Sequence, residues 1–180
     1  FAEGILGSVG LFSLTVLAGF VIHGAVILPL ALKLLGNRSI FEYLSATAPA
    51  LTTAFGTASP AATLPVTYDC VVEKGKVDSR AGALTLPLGA MINMNGTALY
   101  LVIAAFFCAQ AFQVELSLIQ SIIIVVVALL VSFGASIVPN VSLLLLALVL
   151  YSADLPAAAY AGIGMILVVD WFFDRMRATV

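Results

Sequence analysis

The sequence predicts an all-α membrane protein in which two re-entrant helical hairpins and a broken transmembrane helix form an inverted repeat. Three observations predict it. Hydrophobic residues make up 63% of the chain and charged residues 9%, with a mean hydropathy of +1.20; soluble domains carry roughly 25% charged residues. The stretch Pro87-Leu-Gly-Ala-Met-Ile-Asn-Met-Asn-Gly-Thr-Ala-Leu-Tyr100 sets two asparagines, two glycines and a threonine inside a run without charge from Ala81 to Val114. Irregular backbone at membrane depth persists only when buried in protein or lining a cavity, so such a break points to an ion or a polar solute. Finally, two charge-free runs too irregular or too long for single spans echo each other: Ala54-Phe-Gly-Thr-Ala-Ser-Pro60 and Ser132-Phe-Gly-Ala-Ser-Ile-Val-Pro139.

The elements follow in order. Gly4 to Leu32 is free of charge, and about 20 apolar residues suffice to span a bilayer, so 4–35 reads as a first transmembrane helix. The run 43–68 is charge-free but holds Pro49, Gly56, Pro60, Pro65 and six threonines, which suits an inner re-entrant hairpin better than a straight helix. Segment 81–112 is the broken transmembrane helix. After Glu115, the run 116–153 is too long for one span and is interrupted at Ser132–Ser142, as two half-length arms of an outer hairpin would be. A final helix, 157–180, begins apolar and ends with Asp170, Asp174, Arg175 and Arg177.

Charge sets the topology. If 43–68 returns to its starting side, Lys33, Arg38, Lys74, Lys76 and Arg80 share one side, and the loops at Glu115 and Asp154 face the other without Lys or Arg. That matches the positive-inside rule. One hairpin then enters from each side, which is the inverted repeat. No basic face exists outside the short loops, so nucleic-acid binding has no support. Cys70 and Cys108 are far apart in the chain and read as isolated thiols. The chain starts at Phe1 and stops at Val180 inside a helical run, so it reads as a piece of a longer protein.

Three segments carry a family resemblance. Thr53-Ala-Phe-Gly-Thr-Ala-Ser-Pro-Ala-Ala-Thr-Leu-Pro-Val-Thr67, Leu86-Pro-Leu-Gly-Ala-Met-Ile-Asn-Met-Asn-Gly-Thr-Ala-Leu-Tyr100 and Val169-Asp-Trp-Phe-Phe-Asp-Arg-Met-Arg-Ala-Thr179 resemble, in order, the inner hairpin, the Asn-Met-Asp-Gly-Thr segment and the last helix of the dicarboxylate/amino acid:cation symporters. This is the family of glutamate and aspartate transporters and their neutral amino acid relatives. The resemblance implies a transport domain of glutamate-transporter type in the cell membrane, with no catalytic chemistry. It also implies a scaffold outside this chain that forms a homotrimer, coupling to sodium or to protons, and an acidic amino acid or dicarboxylate as substrate.

The candidate site residues have rival readings. Asp174 and Arg177, three apart, share a helix face; either they sit at a juxtamembrane end and snorkel, or they face a cavity. By resemblance, Asp174 accepts the substrate's α-ammonium and Arg177 its side-chain carboxylate, a task that suits a guanidinium fork. Thr97 either bonds back to its own helix or, by resemblance, to the substrate, together with Ser59 and Val138 at the hairpin tips. Asn93 and Asn95 and unwound carbonyls at Gly89 and Met91 offer oxygens of the kind sodium takes. The resemblance adds carbonyls at Ser132, Phe133 and Ala135. Asp170 is either a second cavity carboxylate or part of a packing network. The Trp171–Phe173 cluster reads as a lipid or packing surface. His23 is either a packed residue or a proton relay.

The chain departs from the family pattern at several positions. Asn95 stands where most relatives carry a cation-binding aspartate. Pro60 replaces a tip serine and has no backbone N–H to offer. Ile137, Asn140 and Ser142 replace glycines, and Ala178 replaces a threonine. These departures motivate an alternative: an uncoupled anion channel or a solute sensor descended from the family.

Overall fold

The computed structural model describes residues 2–36, 39–133, 135 and 141–180, and all its regular elements are helical. Arg38, Gly134, Ile137, Val138 and Asn140 lie outside the described residues. Helix α1 (Ala2–Ile22) continues through a π-helical stretch (His23–Ile27) into α2 (Leu28–Leu35). Then come α3 (Ile40–Thr57), α4 (Pro60–Asp69) with a π-helical extension (Cys70–Lys74), α5 (Ser79–Ile92), α6 (Asn95–Ala111), α7 (Leu118–Ser132), α8 (Ser142–Ser152) and α9 (Ala157–Thr179).

Among the described residues, three helical stretches are long and apolar enough to cross a membrane: Gly7–Leu35, Ser79–Ala111 and Ala157–Thr179. The second contains the break. Asn93 and Met94 leave the helical region at φ −85, ψ 52 and φ −87, ψ 48. The polar residues that marked this stretch in the sequence lie at and beside the change of backbone course.

In both pairs of half-length helices the two helices pack on each other. Helix α3 packs on α4 and also on its π-helical extension, so the chain returns beside its entry. Their two-residue link turns at Ala58 (φ 51). Ser59 caps α4 by accepting from the Ala62 N–H at 3.2 Å, and Pro60 at the first helical position needs no hydrogen bond there. This hairpin runs from Ile40 to Lys74, longer at both ends than the 43–68 read from charge. Its charged open end brings Glu42 and Lys74 around one pocket. In the other pair, α7 packs on α8, and Gln120 Nε2 donates to the Ala153 carbonyl at 3.1 Å, closing the two far ends. A capping box of Ser117 and Gln120 starts α7.

Helix α6 is central. Its small residues Gly96, Ala98, Ala104, Ala105 and Ala109 are buried, and it packs against α1, α7, α8 and α9. At Gly96 a Cβ would lie 2.9 Å from the Arg177 carbonyl oxygen, so glycine permits the backbone of α9 to run this close. Beneath this crossing, Phe12, Phe20, Tyr100 and Phe173 form an aromatic cluster with ring centroids 6.0–6.4 Å apart. The Trp171–Phe173 run is therefore divided. Phe173 is buried in this cluster, while Trp171 and Phe172 are exposed on the outer face.

Candidate functional site

The site is built on one face of α9. Asp170, Asp174 and Arg177 are four and three residues apart, so they line one side of the helix. Arg177 Nη2 donates to Asp174 Oδ1 at 2.7 Å and Nη1 to Asp170 Oδ1 at 3.2 Å. The guanidinium carbon stands 4.2 Å from the centre of the Tyr100 ring. Arg177 and Asp170 are buried. Of the two readings left open by the sequence, the structure gives the cavity-facing one for Arg177, because a snorkelling arginine would be exposed. Asp170 belongs to an ion-pair and packing network: its carboxylate takes the guanidinium on one side and the Ser142 hydroxyl from α8 on the other.

Around Arg177 four elements close on a cavity of about 30 Å³, lined by Ala58, Ser59 and Pro60, by Met94 and Thr97, by Ala135, Val141 and Ser142, and by Asp174, Arg177 and Ala178. A space of about that size holds a water or two, not an amino acid, so any larger ligand requires the arms to part. Thr97, in the first turn of α6, is buried. Among the described residues its hydroxyl has no hydrogen-bond partner, which disfavours the back-bonded reading. Beside the small cavity lies an open cleft of about 520 Å³ between the α3–α4 hairpin, α5 and the end of α9, bordered by Thr47, Thr63, Thr67, Thr85 and Asn93 and sharing Pro60, Met94, Arg177 and Ala178 with it.

The sequence-predicted residues divide accordingly. Ser59, Thr97, Ala135, Asp174 and Arg177 come together at the small cavity. Gly89 and Asn93 line the open cleft instead. Met91 and Phe133 are exposed, Asn95 is exposed at the start of α6, and Ser132 is buried with its hydroxyl on the Leu129 carbonyl at 2.8 Å. Val138 lies outside the described residues. One expectation is corrected. Neither Gly89 nor Met91 is unwound: both sit within α5, and the Gly89 carbonyl accepts from the Asn93 N–H at 2.9 Å, because the helix holds until Ile92. The carbonyl of Met91 lies in the last turn of α5, where no following helical turn can take it. At Phe133 the backbone is extended (φ −63, ψ 127), which turns its carbonyl out of α7. These neutral carbonyl oxygens, with the side-chain amides of Asn93 and Asn95, are the donor type that suits sodium.

Three contributors went unread in the sequence. Tyr100 forms the floor under Arg177. Ser142 holds Asp170. Arg175 reaches back across more than a hundred residues, its Nη1 donating to the carbonyls of Gly56 at 2.9 Å and Phe55 at 3.3 Å, with its guanidinium 4.5 Å from the Trp171 ring centre. Only Arg175 gave a hint, as a charge inside an apolar helix, which demands a partner.

Comparison with known proteins identifies the family. The profile of the sodium:dicarboxylate symporter family matches residues 2–180. The chain belongs to this family. It is 40% identical over 173 residues to excitatory amino acid transporter 1 of Homo sapiens, covering 96% of this chain and 31% of that protein. Excitatory amino acid transporter 3 of Bos taurus is 43% identical over 98% of the chain and 33% of its own length. Excitatory amino acid transporter 4 of Mus musculus is 42% identical over 95% and 30%. These family members are transporters, not enzymes. The chain spans about a third of the length of the curated relatives it matches.

Proposed function

We propose that this chain is the substrate-binding transport domain of a secondary symporter for acidic amino acids or dicarboxylates. One observation carries the reading: a buried arginine, held by two carboxylates, faces a small cavity of mixed polar and apolar lining between two hairpins and a broken helix. Arg177 offers a planar fork of donors that fits a carboxylate. On entry of a substrate, its side-chain carboxylate takes over the Arg177 N–H groups now given to Asp174. Asp174, released, accepts the α-ammonium. The α-carboxylate lies toward Ser59 and the N-terminus of α4, where the positive end of the helix dipole favours an anion, and Thr97 donates or accepts from the opposite wall. Val138 completes this set by family resemblance.

A bound sodium ion would supply positive charge that offsets the substrate's and ties its movement to the ion gradient. Met91, Asn93, Asn95, Ser132, Phe133, Ala135 and the free lone pair of the Gly89 carbonyl are the oxygens that would hold it; protons are the other candidate coupling ion. The hairpins are re-entrant, one from each side of the bilayer, as the inverted repeat requires, and the domain moves across the membrane to give alternating access. A scaffold outside this chain would supply the trimer contacts. The exposed apolar side chains of α1, α7 and α9 suit lipid or such a scaffold.

A second reading has its own support. Asn95 is neutral and exposed at the start of α6, so the proposed ion oxygens include no carboxylate. A weakened ion site would leave an uncoupled anion channel or a solute sensor. Uptake of radiolabelled L-aspartate into proteoliposomes holding the full-length protein separates the two. Accumulation under an inward sodium or proton gradient, lost in Arg177→Ala, supports the symporter. No accumulation under either gradient sinks it and leaves the channel or sensor.

A further inference from the structure

We infer that Ser142 is a positioning residue for the Arg177 site, acting through Asp170. Ser142 is the first residue of α8 and is buried. Its hydroxyl lies 3.1 Å from both Asp170 Oδ1 and Oδ2, and Oδ1 is the atom that accepts from Arg177 Nη1. The hydroxyls of the other hairpin serines and threonines that donate here bond mainly to backbone carbonyls within four residues. Ser142 instead reaches 28 residues along the chain to another helix.

The physical consequence is a competition. A buried carboxylate needs donors for its lone pairs; among the described residues Asp170 takes the Arg177 guanidinium and the Ser142 hydroxyl, with the Tyr100 hydroxyl also beside it. With the hydroxyl in place, part of the demand of Asp170 is met from α8, and the guanidinium is shared between Asp170, Asp174 and the cavity. Without it, Asp170 leans harder on Arg177 and draws the guanidinium away from the cavity, so a ligand carboxylate competes less well for it. The same hydrogen bond ties the start of α8 to α9. Parting these helices leaves a buried carboxylate short of a donor, so Ser142 sets how firmly this arm rests on the site.

This inference rests on the reading of Arg177 as the ligand-carboxylate partner, and the experiment separates the two. Full-length wild type, Ser142→Ala and Ser142→Thr are compared in proteoliposomes for L-aspartate uptake, and in detergent for hydrogen–deuterium exchange. Ser142→Ala is expected to raise the KM for L-aspartate about 3- to 10-fold, the size of an ordinary net hydrogen-bond contribution felt through Asp170, with Vmax changed less than about twofold. The first-turn amides of α8 should exchange faster by a similar factor. Ser142→Thr, which keeps the hydroxyl, should restore both. Unchanged exchange in Ser142→Ala overturns the tie. Faster exchange with an unchanged KM overturns the positioning role and leaves a packing contact only. If wild type itself transports nothing, the functional reading has failed, and the exchange measurement alone decides whether Ser142 holds α8 to Asp170.

Discussion

The two hairpins are built alike and held differently. The α3–α4 hairpin carries six threonines, and each of their hydroxyls donates to the carbonyl four residues earlier in its own helix, at 2.8–3.1 Å. Its tip is held from outside by the Arg175 guanidinium, which takes the carbonyls of Phe55 and Gly56 at the end of α3. A cation there also suits the negative end of the helix dipole. The α7–α8 hairpin is apolar, rich in isoleucine, valine and leucine. It is held from inside, by a buried hydroxyl on a buried carboxylate. The first hairpin thus rests on an exposed contact, and the second on the ion network itself. Composition did not foretell the contact that anchors the ion network: the threonines of the first hairpin bond within their own helices, and the apolar hairpin supplies the hydroxyl that reaches Asp170.

Cutting each tie tests this contrast. The largest effect is expected from Asp170→Ala, which leaves Arg177 with Asp174 alone and Ser142 without its acceptor. Breaking a buried pair costs about 3–5 kcal/mol, so thermal unfolding in detergent should show a drop near the lower end of that range, with α8 and α9 both exchanging faster. A small drop, with α8 protection kept, would break the claim that the second hairpin hangs on the ion network. Arg175→Ala comes next. It removes hydrogen bonds from a charged donor, worth about 1.5–3 kcal/mol, and should raise amide exchange across residues 55–62 without touching α8. Equal loosening of both hairpins would show that the two ties are not separate. The smallest effect belongs to Ser59→Ala, which removes the cap of α4 for about 1 kcal/mol and should fray only the first turn of that helix.

Much of this architecture was legible in the sequence for physical reasons. Charge-free runs of spanning length stand out in any membrane chain, and a break rich in glycine and asparagine inside one is costly enough to mark itself. The backbone does change course at Asn93 and Met94. Asp174 and Arg177 were legible as a pair because three-residue spacing on a helix fixes a common face. What stayed hidden was set by long-range approach. Nothing near Ser142 announces that it will meet Asp170, and the grip of Arg175 on Gly56 depends on how the first hairpin returns against α9. Gly89 was misplaced by a few residues because a glycine in an apolar run signals a break nearby but not its position: α5 persists to Ile92, and the helix ends where the Asn93 amide caps it.

The central claim is that Arg177, steadied by Asp170, Asp174 and Tyr100, selects an acidic ligand. The most direct measurement is equilibrium binding of L-aspartate and of L-serine to purified full-length wild type and Arg177→Ala. The account predicts that wild type prefers L-aspartate and that Arg177→Ala loses L-aspartate affinity by about a hundredfold or more, as expected when a charged partner is removed from a buried site, while L-serine binding is kept or improved. Retention of L-aspartate affinity in Arg177→Ala would contradict it.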